Sequence, residues 1–305
     1  MRKKTGRALA VFLTQLAQSE KAGLPLRQTL DAACKDADDS AMAKVAADMA
    51  DSVKNGKTLG EAMALHPALF DPAITGLVLA GEKAGRLALA LQKCHDLVRR
   101  RLERRSEFAR STLGPKISLA IILALAVFRQ GPDAFWTLNA IATFFAMFFV
   151  GRRFSSGFRY RTDFLVLLLP GIGGAVRGHN TARYCESLAV LHAGGLGLKQ
   201  SLHLASMSVP NLVLRQQTHE ALLLVEAGAS LHHAFSVATR FDSFALGLIR
   251  AGEQSGNLSK TLEEITGYYD RQTAEAVTAM QQTAVPALVI VAGIILYMHL
   301  KDSGF

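Results

Sequence analysis

Cysteine, proline and tryptophan are scarce in this sequence of 305 residues, which contains three, eight and one of them. The cysteines, Cys34, Cys94 and Cys185, are isolated and form no CxxC pair, so they suggest neither a zinc knuckle nor a disulfide framework. A reducing compartment is the simplest interpretation for the soluble parts. The scarcity of proline favours helix, and no alternating strand pattern stands out.

Motifs for nucleotide, metal or catalytic chemistry are incomplete. The stretch "NGKT" resembles the end of a P-loop, but Asp51 stands where that motif requires glycine. In "GIGGAVRG", Val176 replaces the third glycine of a dinucleotide fingerprint. The histidines of the second half lack the tight spacings of zinc sites, and no Ser-His-Asp or Cys-His order stands out. We therefore expect no enzymatic activity, no cofactor and no metal site.

Three stretches are too apolar for the surface helices of a soluble domain: 113–128, 134–151 and 283–300. The first is short for a hydrocarbon layer of about 30 Å, but a lysine near its start can extend it by snorkelling. Arginines are dense before the first stretch and after the second. The positive-inside rule therefore puts the N-terminus in the cytoplasm, and the C-terminus on the opposite side. The net charge of +9 is then explained by these arginines on the cytoplasmic side of the predicted spans.

The chain contains two copies of one pattern, 171 or 172 residues apart. The segment "LAQSEKAGLPLRQTL" from Leu16 matches "LAVLHAGGLGLKQSL" from Leu188, and "VKNGKTLGEA" then matches "VEAGASLHHA". After the loss of one residue, "FDPAITGLVLAGEKAGRL" from Phe70 matches "FDSFALGLIRAGEQSGNL" from Phe241. Three matching blocks in the same order indicate an internal duplication.

Each copy is predicted to form a helical bundle. Apolar residues recur at spacings of three and four, and turn signals divide each copy into about six short helices. We therefore predict an all-α membrane protein with two homologous cytoplasmic bundles and three transmembrane helices. The predicted order is a first bundle at 1–110, two transmembrane helices with a short outer link at 111–151, a cytoplasmic linker at 152–178, a second bundle at 179–278, and a third transmembrane helix with a short tail at 279–305.

A GExxG motif occurs once in each copy. The motifs contain Gly81, Glu82 and Gly85, and Gly252, Glu253 and Gly256. Glycines four residues apart share a helix face and allow close backbone approach. Alternatively, Gly85 caps the end of its helix before Leu87 starts the next one. The glutamate would then lie beside a helix start, where free N–H groups favour a carboxylate. Two interpretations stay open: a structural corner pinned by glutamate, and a carboxylate that docks a partner or contacts an ion.

The order of these elements resembles a known family. Each helical copy carries "aGlpL…L", "G.sL..A" and "F…GE.sG.L"; two apolar stretches separate the copies and a third follows them. Over essentially its whole length, the chain resembles the inner-membrane platform proteins of type II secretion systems and type IV pili, the GspF/PilC family. The second copy departs from the pattern at Gly197, where the first copy has Pro25. The short outer link, together with the missing N-terminal segment that many members carry, leads us to expect a compact member.

The resemblance implies a scaffold of the bacterial inner membrane that couples a cytoplasmic assembly ATPase to pilin or pseudopilin assembly. Other inner-membrane machine components and further copies of the chain are also expected partners. The bundles around Glu82 and Glu253 would face the ATPase. The spans near Pro115, Pro286 and Gly293 would meet pilin helices, since proline and glycine fit close packing or kinking in a membrane. The C-terminus would then be periplasmic.

Two other functions stay open at this point. A small membrane transporter or channel component can also have duplicated halves, but here the duplication lies in the soluble parts. Within the apolar stretches, ionisable residues occur only near the ends, at Lys116 and His299, so no ion path is evident. A nucleic-acid binder would rest only on "RRRLERR" from Arg99. We therefore expect no nucleic-acid partner.

Overall fold

A computed structural model describes residues 3–35, 39–111, 156–169 and 172–302. Within these ranges every regular element is an α-helix. The first copy contains α1 Lys3–Lys21, α2 Leu26–Lys35, α3 Ser40–Lys54, α4 Leu59–Ala64, α5 Pro72–Lys83 and α6 Leu87–Ser111. The later helices are α7 Ser156–Leu168, α8 Ile172–Ala193, α9 Leu198–Met207, α10 Leu212–Glu226, α11 Leu231–Ala238, α12 Ser243–Ser255 and α13 Leu258–Asp302.

The two copies repeat the same helix order in the described chain. Helices α1 to α6 correspond to α8 to α13, so each copy contributes six helices. The prediction of an all-α protein with an internal repeat is therefore confirmed. The segment 152–178, for which a linker is predicted, contains α7 and the start of α8.

Polar caps start the helices that frame the GExxG motifs. Asp71 precedes α5 and accepts hydrogen bonds from the backbone N–H groups of Ala73 and Ile74, both at 3.1 Å. Asp242 precedes α12 in the same way and accepts from Ala245 N–H at 2.8 Å. Such caps satisfy helix N–H groups that have no intrahelical partner, which is why equivalent aspartates start equivalent helices.

Each copy has an apolar core of its own composition. In the first copy Leu13, Met63 and Phe70 are among the largest fully buried side chains. The second copy instead stacks aromatic rings: Phe235 meets Tyr184 edge to face at 5.8 Å between ring centroids. Full burial of one such side chain stabilises the fold by about 1.5–3 kcal/mol.

Both copies belong to one compact unit, made of residues 1–105 and 180–269. Within it, α5 of the first copy packs against α9 of the second. Glycine allows this approach: a Cβ built on Gly76 would lie 2.3 Å from Leu204 Cδ1, and one on Gly194 would lie 2.3 Å from Leu77 Cδ1. The buried residues of the two copies consequently form one continuous hydrophobic cluster. A second unit comprises residues 106–179 and 270–305.

Two of the three predicted membrane spans lie outside the residues that the structure describes. The first two, 113–128 and 134–151, lie outside the described residues, and so does Pro115. The third, 283–300, lies in α13, where only the backbone is described, and Pro286 and Gly293 are part of that continuous helix. Within the described residues, no helix combines the length and apolar character needed to cross a membrane.

Equivalent leucines of the two copies should differ in their importance for stability. Leu196 is 5% exposed, whereas its counterpart Leu24 is 50% exposed. We expect Leu196→Ala to lower the free energy of unfolding by about 2–5 kcal/mol, because it removes buried methyl groups and leaves a cavity. Leu24→Ala should change it by less than about 0.5 kcal/mol. Thermal unfolding of the purified full-length chain in detergent measures both, and equal losses would contradict the assignment of Leu196 to the core.

Candidate functional site

Glu82 caps a helix that lies far upstream in the sequence. Its Oε1 accepts a hydrogen bond from the backbone N–H of Leu59 at 2.6 Å, and its Oε2 accepts from Gly60 at 3.1 Å. These are the first two N–H groups of α4. The third, on Glu61, donates to Thr58 Oγ1 at 3.2 Å. Every N–H group in the first turn of α4 therefore has an acceptor, and a carboxylate lies at the positive end of the helix.

Glu253 repeats this arrangement in the second copy. Its Oε1 accepts from Leu231 N–H at 2.8 Å, and its Oε2 accepts from His232 N–H at 3.2 Å. His233 N–H donates to Ser230 Oγ at 3.2 Å, so α11 is capped like α4. The side chain of Glu253 is exposed, whereas that of Glu82 is half-buried.

The two glycines of the first motif have different roles. Gly85 has φ of +64° and ends α5. The N–H groups of Arg86 and Gly85 donate to the carbonyls of Gly81 at 2.7 Å and Glu82 at 3.1 Å, which is a Schellman ending. Gly256 ends α12 with φ of +71° in the second copy.

Gly81 and Gly252 permit a close approach of consecutive helices. A Cβ on Gly81 would lie 2.4 Å from the Cβ of Ala90, and one on Gly252 would lie 2.1 Å from Thr261 Oγ1. Ala90 and Thr261 occupy equivalent positions of α6 and α13. The motif thus combines a close contact, a helix cap and a left-handed ending within five residues.

This geometry separates the alternatives left open by the sequence. The first glycine of each motif allows two helices to approach closely, and the second glycine ends its helix. The helix start beside Glu82 belongs to Leu59, although the sequence pointed to the next helix, at Leu87. Both carboxylates are occupied by backbone N–H groups, so the corners have an evident structural function. Their predicted function in docking a partner stays a prediction.

A second charged cluster lies where the two copies meet. The guanidinium of Arg101 contacts the Asp71 carboxylate. The Nε atom of the same arginine lies 3.3 Å from Glu186 Oε2. Arg183 Nη2 lies 3.3 Å from Asp71 Oδ2, and Arg101 Nη2 donates to Ser187 Oγ at 3.0 Å. Glu186 is only 3% exposed. We call Asp71, Arg101, Arg183 and Glu186 the charged seam, because they join α5 and α6 of the first copy to α8 of the second.

Burial and opposite charges compete in the seam. Burial raises the pKa of Asp71. Arg101, Arg183 and the Ile74 amide together lower it by more than burial raises it, so the pKa lies below its usual value of 3.8. Burial and the neighbouring Arg101 lower the pKa of Arg183, against the attraction of Asp71 and Glu186. Removal of one partner would leave a buried charge without compensation, which makes this contact sensitive to substitution.

The sequence did not predict the seam. Arg101 belongs to an arginine run that indicates membrane orientation, and the only sequence signal at Asp71 is its match to Asp242 in the repeat. The available signal was Glu186, a lone acidic residue in the apolar stretch "YCESLAVL". Acidic residues are almost never fully buried unless they are paired, so a glutamate on a core-facing stretch indicates a basic partner.

Other reactive side chains form no cluster in the described ranges. No group of three or more His, Cys, Asp or Glu residues there could hold a metal ion. Cys94 and Cys185 are buried without a disulfide, and burial raises the pKa of both thiols. A raised pKa disfavours the reactive thiolate.

These features define an all-helical protein made of two linked copies of a six-helix bundle. Residues 12–128 and 184–300 each match the family model described as type II secretion system (T2SS), protein F. Because the two matches together cover more than half of the chain, the chain belongs to this family. The resemblance seen in the sequence is thereby confirmed.

Individual relatives of the chain carry names from type II secretion and from type IV pilus assembly. The chain is 28% identical to type II secretion system protein F of Aeromonas hydrophila, over 95% of this chain and 83% of that protein. It is 25% identical to type IV pilus assembly protein PilC of Pseudomonas aeruginosa, over 96% of this chain and 88% of that protein. A type II secretion system protein F of Vibrio cholerae is 26% identical, with 95% and 79% covered.

Loss of the Glu82 carboxylate should destabilise the first copy. We expect Glu82→Ala to lower the free energy of unfolding by about 1–2 kcal/mol, because two N–H groups of α4 lose their acceptor. Lys83→Ala, at the exposed neighbouring residue, should have no measurable effect. Thermal unfolding of the full-length variants distinguishes them, and equal stability of Glu82→Ala and wild type would disprove the cap.

The seam should make stability depend on pH in the acid range. The folded-state pKa of Asp71 is lowered, so its contribution is complete above the unfolded value of 3.8 and disappears as pH falls through the folded value. Asp71→Asn should cost on the order of 3 kcal/mol at neutral pH and flatten the pH dependence below about pH 4.

Asp242→Asn is the matched control for this experiment. Asp242 caps the equivalent helix, but Val11 and Gln272 stand at the positions equivalent to Arg183 and Arg101. The control therefore removes a cap without removing the seam. Urea unfolding at a series of pH values measures both variants, and identical pH profiles for the two would rule out a special contribution of the seam.

Proposed function

We propose that this protein is a non-catalytic platform of the inner membrane that couples a cytoplasmic assembly ATPase to pilin or pseudopilin assembly. The observation that carries the proposal is the match of both copies to the protein F family of type II secretion systems. The relatives named for pilus assembly support the same class of machine. The match favours this function over the transporter alternative.

The proposal includes the topology expected from the sequence. The chain crosses the membrane at 113–128, 134–151 and 283–300, with its N-terminus in the cytoplasm and its C-terminus in the periplasm. The last helix of the second copy, α13, begins in the bundle, where Leu262 and Ile265 are buried in the core.

The seam supports joint movement of the two bundles. Its partly buried ion pairs hold α8 of the second copy against α5 and α6 of the first, so an ATPase that pushes one copy displaces the other with it. The GExxG corners are proposed to face the ATPase. Pilin or pseudopilin helices are proposed to pack near Pro115, Pro286 and Gly293, and other inner-membrane components would complete the machine.

Charge reversal at Glu82 cannot test docking by itself, because this carboxylate caps α4. A photo-crosslinking amino acid at the exposed neighbours Lys83 and Gln254 avoids the problem. In intact cells we expect both positions to crosslink to the assembly ATPase, and a probe at Gly293 to crosslink to a pilin-like subunit. Mass spectrometry of the purified adducts identifies the partners.

A probe at Lys44, exposed on α3, serves as the control and should give less of the ATPase adduct. Deletion of the gene should abolish piliation or secretion, and the wild-type chain should restore it. Normal piliation and secretion in the deletion strain would refute the platform function. Adducts with the ATPase from Lys44 alone would refute only the assignment of the corners.

A further inference from the structure

Exposed apolar side chains are concentrated in one short segment of the chain. Within the described ranges, fifteen large apolar side chains are exposed, and seven of them lie between residues 158 and 172. Single exposed apolar residues are ordinary on a protein surface, but a contiguous group marks contact with a partner, a ligand or a membrane. This group belongs to α7 and the start of α8, in the second unit.

The exposed side chains of α7 share one helix face. Tyr160, Phe164 and Leu168 follow one another at intervals of four residues, and Arg161 and Leu165 lie beside them. Exposure is greatest at the two leucines, 60% at Leu165 and 64% at Leu168. We call these five residues the outer face of α7.

The opposite side of α7 is packed against protein. Thr162, Asp163 and Leu167 are buried there, and the Thr162 hydroxyl donates to the carbonyl of Arg159 at 2.9 Å. The turn into α8 is tight, since a Cβ built on Gly173 would lie 2.3 Å from the carbonyl oxygen of Leu167. The segment is therefore a packed helix with one apolar face turned outward, although a simple linker was expected from the sequence.

The charge around the outer face is positive. Residues 152–178 contain five arginines and a single acidic residue, Asp163. Asp163 is only 3% exposed, whereas Arg161 is exposed. Basic residues beside exposed phenylalanine and leucine are typical of helices that lie in the headgroup region of a bilayer. The charge is complementary to an anionic surface and opposes a cationic one.

A shallow recess in the outer face is too small for most soluble ligands. Its walls are Tyr160, Arg161, Phe164 and Leu165, they are almost entirely apolar, and its volume is about 250 Å³. Pockets for small molecules usually measure about 300–1,000 Å³ and contain several polar groups that orient the ligand. Part of an acyl chain fits such a recess, and the guanidinium of Arg161 can bind a phosphate group.

The segment is too short to cross the membrane by itself. The apolar run 164–169 has six residues, whereas a helix needs about 20 to cross a hydrocarbon layer of about 30 Å. A position on the membrane surface satisfies both sides of α7. Leu167 then packs on the protein, while Leu165 and Leu168 face the acyl chains.

We propose that α7 lies on the cytoplasmic surface of the inner membrane, with its outer face in contact with anionic phospholipid. The apolar side chains of this face enter the boundary between headgroups and acyl chains, and Arg161 binds lipid phosphate. The inference rests on the proposed topology, in which the predicted span 134–151 ends beside this segment. The negative potential of the cytoplasmic leaflet attracts the same arginines that orient the spans.

Quenching of tryptophan fluorescence by brominated lipid tests this position. The full-length chain is reconstituted into phosphatidylethanolamine–phosphatidylglycerol vesicles, with or without acyl chains brominated near the headgroup. The single tryptophan, Trp136, is first replaced in Trp136→Phe, and Phe164→Trp then places the fluorophore on the outer face. We expect brominated lipid to reduce its emission at least about twofold, because the ring enters the headgroup boundary.

Phe244→Trp in the same background is the matched control. Phe244 is a phenylalanine of the second bundle and is 53% exposed, close to the 49% of Phe164. Its emission should change little. Quenching at position 164 that does not exceed quenching at position 244 would overturn the proposal, and photo-crosslinks from Leu165 to another protein in cells would then assign the face to that protein.

The native tryptophan separates this inference from the proposed function. Trp136 lies near one end of the second predicted span, so its quenching in the wild-type chain tests that span. Quenching of Trp136 without quenching at position 164 would refute only the surface position of α7. Absence of quenching at both positions would refute the proposed topology as well.

The role of lipid charge is tested at Arg161. In the Phe164→Trp protein, Arg161→Gln should lower the ratio of docked to free helix about fivefold, because one basic residue loses its attraction to the anionic surface. Vesicles of phosphatidylcholine alone should abolish this difference. Arg86→Gln, at an exposed arginine of the first copy, should change nothing. Equal quenching with and without Arg161 in anionic vesicles would overturn the assignment to anionic lipid.

Discussion

The charged seam between the copies, three partly buried side chains around the buried Glu186, constrains how the bundles can be arranged. Asp71 caps α5, and its carboxylate also meets Arg101 and Arg183 from two different helices. A charge withdrawn from water is tolerated only when its partners are in place, so the two copies must dock in one register. Apolar packing at Gly76 and Gly194 is then possible because the helices already lie close together.

The GExxG corners solve a local problem in each copy. A short helix has few internal hydrogen bonds relative to its unpaired ends, and α4 spans only six residues. Capping by a carboxylate from α5 ties this helix to its neighbour, and the glycines let α6 follow without a steric clash. The motif recurs because the duplicated bundle contains the same short helix twice.

The two segments that match the family model correspond to the two copies of the bundle, and unlike helices form the contact between these copies. The copies have the same helices, but the contact between them joins unlike ones: α5 and α6 of the first copy meet α8 and α9 of the second. The contact between unlike helices holds the two halves of the chain together. Membership in the protein F family fits that design.

The sequence by itself determined the duplication, the helical class and the family, because offsets and periodicities can be read along one dimension. It also indicated a helix start beside Glu82, but at Leu87 of the next helix, because only neighbouring caps and turns can be read from it. Only the tertiary structure decided that this start is Leu59, 23 residues upstream, and that Asp71 meets Arg183, 112 residues away. Both pairings depend on how helices pack in three dimensions, and helical periodicity alone does not specify which helix ends and which charges become neighbours.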